Sequence, residues 1–392
     1  MKRKLIIALI VAVVMMLPIG PALVSAEAMS LTPQEQLGKF LFFDEMLSLN
    51  ENQSCATCHA PAVGYVGPDS MINAHGGVYE GSIPGAFGDR KPPTAAYAGS
   101  SPILYFDAAE DLWIGGMFWD GRATGWTLGD PLAEQAKGPF LNPMEQAIPD
   151  AATLIAKVQA SVYAGLFETV WGEGSLDDVY EAYNDIGRSI ATYERSAEVS
   201  PYTSKYDYYL KGQAKLTGLE KKGLKLFEGK AMCSACHISA TSGSGELPLF
   251  TDFTYDNLGL PKNLENPYTM NHPDWVDPGL GGFLKGAGYP EEVYAPELGK
   301  FKVPTLRNVA LKPTNTTVKA YGHNGYFKSL EEIVHFYNTR DVAGAGWKGE
   351  LWPVPDYAAT MNMDELGNLG LNALEEEALV AFLKTLSDGY IP

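Results

Sequence analysis

The sequence predicts a mainly α-helical protein built as two similar domains in tandem, and three observations predict it. The motif Cys-x-x-Cys-His occurs twice, at Cys55–His59 and Cys233–His237, and the two copies use all 4 cysteines of the 392-residue chain. The segment Thr32-Pro-Gln-Glu-Gln-Leu-Gly-Lys-Phe-Leu-Phe42 returns at a constant offset of 185 as Thr217-Gly-Leu-Glu-Lys-Lys-Gly-Leu-Lys-Leu-Phe227. Each half also ends on a run with apolar residues at helical spacing, 179–194 in the first and 372–386 in the second.

The cysteine motif names a cofactor. Two thiols can add to the two vinyl groups of one haem, and the adjacent imidazole then lies beneath the iron, so two motifs mean two covalent c-type haems. The competing reading is a four-cysteine zinc ribbon. In such a ribbon the pairs stand a few tens of residues apart, whereas these are separated by nearly half the chain and each carries its own histidine.

Each copy of the repeat opens with a capping box, Thr32 with Glu35 and Thr217 with Glu220. Each is therefore a helix leading into a haem motif. The second copy reaches its first cysteine seven residues sooner, so the connection is shorter while the helix is not. Asn372 and Glu375 cap the last helix, which ends before Gly389. A helix before the haem and a closing helix that crosses it make the small cytochrome c-like fold. The expected domains are 27–200 and 201–392, each binding one covalent haem.

The amino terminus agrees with that chemistry. Met1 to Lys4 are basic, Leu5 to Leu17 apolar, and Val24-Ser25-Ala26 offers a small-residue cleavage site, which reads as a signal peptide over 1–26 and a periplasmic address. Pro18, Gly20 and Pro21 interrupt the run before the ~20 residues a membrane anchor needs. Without Lys2, Arg3 and Lys4 the chain keeps 26 basic and 47 acidic side chains, a formal charge of −21. Nucleic acid is excluded as a partner, because phosphate binding relies on a basic footprint.

The haem motifs, the signal peptide and Phe118-Trp-Asp-Gly-Arg-Ala123 together resemble the bacterial di-haem cytochrome c peroxidases and their MauG relatives. Further segments carry the resemblance in the same order along nearly the whole mature chain: Glu134–Pro139, Asn142–Glu145, Val303–Ala310 and His323–Gly325.

The resemblance implies roles. His59 and His237 are the proximal iron ligands, and Trp119 is an oxidisable relay between the haems. Gln135 and Glu145 line the peroxide pocket of the first haem with Pro139 near its open face. Glu145 is the group that moves a proton between the peroxide oxygens. His75, sixteen residues after His59, resembles the distal histidine that closes the first haem until the second is reduced, and the surrounding glycines suit a mobile loop. Tyr337 stands where other members carry an axial Met, as in MauG-like proteins, with Met361 or Met363 as substitutes. Leu330, Ile333, Val334 and Tyr337 share one helix face behind a Ser329 cap, so the tyrosine points inward. A phenolate lowers a haem's potential where a thioether raises it.

Arg122 and Arg307 are expected to pair with haem propionates. His323 is placed near the second haem but not as a ligand, and His272 and His335 at the surface. A calcium site between the domains is in question, because its Asn position is Lys91 here and its Thr-x-Pro has become Lys319-Ala-Tyr321.

Three functions follow. The first is reduction of hydrogen peroxide to water with electrons from a small periplasmic cytochrome c or copper protein, which the acidic surface would steer. The second is a MauG-like oxidation of Trp or Tyr residues on a partner protein. The third is plain di-haem electron transfer, against which Gln135 and Glu145 argue. A homodimer is compatible with the resemblance.

Overall fold

The computed structural model describes residues 30–392, so the expected signal peptide lies outside the described residues. The described chain is mainly α-helical. Strands are short: Tyr105–Asp107 pairs antiparallel with Leu112–Ile114, and Tyr255–Asp256 with Phe301–Lys302.

The repeat forms matching helices at Pro33–Phe43 and Gly218–Phe227. In each the capping box closes both ways. Glu35 Oε2 accepts from Thr32 N at 2.7 Å while Thr32 Oγ1 accepts from Glu35 N at 3.3 Å. Glu220 and Thr217 repeat this at 2.7 and 3.2 Å. The reciprocal bonds satisfy amides that a helix start otherwise leaves without partners.

The closing helices run over Val179–Glu194 and Ala373–Lys384. Each packs on its opening helix through the glycine that the two repeat copies share. A Cβ on Gly38 would overlap Ser189 O, and one on Gly223 would overlap Ala378 O. The last repeat residue then meets an aromatic one turn further along the closing helix: Phe42 packs on Tyr193 at 5.5 Å and Phe227 on Phe382 at 5.1 Å between centroids. The closing helices thus correspond as well, Ser189 with Ala378 and Tyr193 with Phe382. Two apolar cores grow around these crossings. One joins Leu37, Leu41 and Phe42 to Ile186 and Ile190; the other joins Leu226 and Phe227 to Leu379 and Leu383.

The halves are interlocked, and residues from Leu31 onward form one compact unit. Tyr97 and Asn308 both donate to Asp388 Oδ2, at 2.7 and 2.8 Å. Arg90 grips Asp277 with two bonds of 2.7 Å.

Alanine at Gly38 or Gly223 is expected to push the crossing helices apart and cost about 1–3 kcal/mol, measured as a lower Tm. Gly165, inside helix Ala164–Trp171 with open space around its Cβ, is the control of opposite sign: alanine there raises helix propensity by up to ~1 kcal/mol.

Two candidate haem sites and the bridge between them

Each cysteine motif opens onto its own cavity. The first holds about 770 Å³ of empty space and is lined by Cys55, Cys58 and His59; the second holds about 1760 Å³ and is lined by Cys233, Cys236 and His237. All four thiols are free. Burial raises them, Cys58, Cys233 and Cys236 to about 12, which keeps them as neutral thiols facing the cavities.

The imidazoles are set by the backbone. His59 Nδ1 lies 3.1 Å from Tyr65 O, and His237 Nδ1 lies 2.7 Å from Phe250 O. Burial pushes His59 down to about 4 and His237 in the same direction, so both rings are neutral. A neutral ring beside a carbonyl carries its proton on Nδ1, and that leaves the Nε2 lone pair for a metal. Two thiols and one oriented imidazole nitrogen per cavity fit a covalently attached haem.

The first cavity gathers Gln135, Pro139 and Glu145. Gln135 and Pro139 lie one turn apart on helix Pro131–Leu141. After it the chain folds back, with Gln146 N and Ile148 N donating to Pro139 O and Phe140 O at 3.1 and 2.8 Å, and this return brings Glu145 beside them. Asn142 Nδ2 donates to Glu145 Oε1 at 2.8 Å. Burial raises the Glu145 carboxyl, opposed by the positive charge of Arg122 and by the Asn142 bond.

The structure does not bring His75 to this cavity. It is exposed at the end of helix Ser70–Ala74, and Tyr79 and Glu80 line the wall instead. The glycines beside it are close-approach residues. Gly76 has φ +115° and a Cβ there would lie 2.6 Å from Glu265 O, while one on Gly77 would lie 2.9 Å from Ala320 Cβ. Asn73 Nδ2 ties the same segment to Val318 O at 3.0 Å. The segment is pinned to the second half.

The first cavity also contains Glu194, which the sequence reading passed over. It is buried on the closing helix with Oε2 unpartnered, and burial raises its carboxyl to about 8. The signal was present: Ile186, Ile190 and Glu194 follow at i, i+4 and i+8, an acid on an apolar face.

Trp119 lines the second cavity and its neighbour Phe118 the first. Phe118 has φ +63°, a left-handed conformation disfavoured for a bulky residue, and Met117 N closes the turn on Ala123 O at 2.8 Å. Trp119 Nε1 donates to Lys91 O at 2.8 Å. His323 is buried edge-on to Trp119 and stacked on Phe301 at 3.5 Å, and it lines the second cavity.

Tyr337 lines the second cavity too, on helix Leu330–Thr339. Burial, with the nearby Asp256 carboxylate, drives its phenol well above the usual value. Neither Met361 nor Met363 reaches the cavity: Met361 packs against Gly259, and Met363 is exposed.

Both arginines have partners within the chain, and Arg307 lines the second cavity. The Arg307 fork is engaged by Asp207 at 2.8 and 3.0 Å and by Pro248 O at 2.8 Å. Arg122 is engaged by Asp120 at 2.8 Å, lies over the Phe118 ring at 3.9 Å, and lines neither cavity. Lys91 and Lys319, the two residues that put the calcium site in question, stand at the wall of the second cavity with Lys302, which the sequence did not single out; burial lowers the three to about 8, 7 and 7 in the order Lys91, Lys302, Lys319. His335 is corrected: it is half-buried, with Glu376 Oε1 and Ala345 O each 2.9 Å from a ring nitrogen. His272 is exposed.

Residues 32–215 match the family model of the di-haem cytochrome c peroxidases. Over 360 residues the chain is 38% identical to the methylamine utilization protein MauG of Paracoccus denitrificans, covering 90% of this chain and 88% of that one. The chain belongs to the di-haem cytochrome c peroxidase family. Cytochrome-c peroxidase IdrP2 of Denitromonas iodatirespirans is 27% identical, over 90% of this chain and 81% of its own. The diheme peroxidase BthA of Burkholderia thailandensis superposes with a TM-score of 0.78 at 32% identity, covering 91% of this chain and 86% of that chain. Family membership makes the protein an oxidoreductase acting on peroxide, with two cytochrome c-like domains and two covalently bound haem c groups.

The Glu194 carboxyl has a testable pH signature. Its folded pKa is raised above the unfolded value near 4.5, so the wild type carries no penalty below pH 4.5, a growing one up to about pH 8, and the full one above. Glu194→Gln is expected to match wild type at pH 4.5 and exceed it by a few kcal/mol at pH 9 (~1.4 kcal/mol per unit), read from Tm against pH.

Proposed function

We propose that this is a periplasmic peroxidase whose first haem reacts with hydrogen peroxide in the fully oxidised protein, without prior reduction of the second haem. One observation carries this reading: His75, the residue expected to close the first haem, is exposed on a segment pinned elsewhere, while Gln135 and Glu145 face the cavity. The overall reaction joins hydrogen peroxide, two protons and two electrons to give two waters.

Bound haem supplies the iron that holds peroxide and accepts its two oxidising equivalents. The chain supplies the proton path. Asn142 fixes Glu145 by one oxygen, and the other takes a proton from the bound peroxide oxygen and returns it to the departing one. Burial holds the Glu145 carboxyl above its ordinary value, which makes its carboxylate a stronger base for the first half of that task. Gln135 orients the peroxide, and Phe118 and Pro139 keep water from the face. Trp119 would pass oxidising equivalents toward a haem held by His237 in the second cavity, and the Tyr337 phenol at the wall of that cavity would be available to it as a further ligand. Burial and the charge of Asp256 hold the phenol protonated, so bound iron would have to offset them for Tyr337 to serve as a ligand.

Residues 27–200 and 201–392 divide these roles as a peroxide-handling and an electron-handling domain, behind a cleaved leader at 1–26. A small basic redox protein suits the acidic surface as donor. A second reading, oxidation of Trp or Tyr on a partner protein, is favoured by Tyr337 and by the similarity to MauG. Turnover with a reduced small cytochrome supports the first reading; covalent change in a partner's aromatic residues without such turnover supports the second.

The test is to mix peroxide with the fully oxidised protein. A rapid spectral change without added reductant is expected, and Glu145→Gln slows it by ~10²–10⁴-fold. A wild type that stays inert until one haem is reduced would overturn the proposal.

A further inference from the structure

Lys319 is buried where the two halves meet. Its ammonium donates to three backbone carbonyls, Val63 O at 2.8 Å, Asn308 O at 2.9 Å and Leu311 O at 2.9 Å. Val63 ends the short helix that follows the first haem motif, while Asn308 and Leu311 follow Arg307 in the second half. The backbones are in close contact here, since a Cβ on Gly64 would lie 2.6 Å from Asn308 Cβ.

Lysine carries three N–H donors only when protonated. Three acceptors at these distances use all of them. Burial, then the like charges of Lys91 and Lys312, pull the group toward neutrality at about 7, but the three carbonyls favour the charged form, as they would favour a hard cation that takes oxygen ligands. Lys91 is buried nearby, adds a like charge, and donates to Pro92 O at 2.9 Å. Neither lysine forms a salt bridge among the described residues.

These residues do not fit a calcium ion. The oxygen cage is filled by an ammonium, a second ammonium stands where an amide oxygen was expected, and a dication beside both would be repelled. We infer that Lys319, backed by Lys91, is a tethered structural cation that locks the two haem-bearing halves together in place of a divalent metal. It is a positioning residue. Lys91 N donates to His323 O at 2.8 Å and Lys91 O receives the Trp119 indole at 2.8 Å, so the clamp reaches the relay between the cavities.

The experiment uses the di-haem protein treated with EDTA, with metal analysis, Tm and the second-haem midpoint potential as readouts. Wild type is expected to hold substoichiometric calcium and to keep its spectrum, Tm and potential through chelation. Lys319→Met is expected to lower Tm and to disfavour reduction of the second haem about tenfold, or ~59 mV for one electron, because a buried positive charge is lost. Lys319→Ala leaves the carbonyls open, and added calcium or potassium chloride restores both quantities. Calcium co-purifying at one ion per chain, a chelator effect on wild type, or a Lys319→Met variant identical to wild type would each overturn the inference. If the variants do not fold, the wild-type chelation arm still decides.

Discussion

The arrangement depends on one tight turn, Met117–Ala123, which sends adjacent side chains into different cavities. Phe118 takes the left-handed conformation so that its ring enters the first cavity while Trp119 enters the second. Such strain persists only where the surroundings over-determine it. Here they do: Asp120 accepts from Arg90 and Arg122 at 2.6 and 2.8 Å, the indole is held by Lys91 O, and Lys302 N donates to Trp119 O at 2.8 Å. One peptide unit thus joins the two sites through adjacent aromatic rings, beside Pro93 and Thr94, which line both cavities.

The two cavities share their attachment chemistry and differ in their ionisable lining: only the second has lysines at its wall. The first is acidic, with Glu145 and Glu194 both raised by burial. The second mixes Lys91, Lys302, Lys319 and Arg307 with Asp256 and Glu365, and is faced by the Tyr337 phenol. A proton-handling pocket needs buried acids whose affinities approach the working pH. A site that stores and passes charge needs a fixed field and a fixed ligand. The asymmetry supports a division of labour that the identical motifs do not express.

Local signals were legible in the sequence. Capping boxes, the shared glycine and the apolar periodicity of 179–194 and 372–386 are short-range properties, and the helices lie where those patterns place them, the last ending at Lys384. Partners far along the chain were not legible. Arg307 was expected to meet a propionate, and the Asp207 that engages its fork lies 100 residues earlier. The glycines around His75 looked like hinges, but Gly76 and Gly77 are small because Glu265 and Ala320 press against them. The Lys319 cage draws on Val63, 256 residues away, and no local pattern announces it.

The central claim is that Trp119 joins the two sites. Its most direct measurement is stopped-flow spectroscopy of Trp119→Phe mixed with peroxide in the fully oxidised state, following each haem at its own wavelengths. The account predicts that the first haem reacts at the wild-type rate while the response of the second slows by about tenfold or more, a barrier of ~1.4 kcal/mol. A second haem that responds at the wild-type rate in this variant would contradict it.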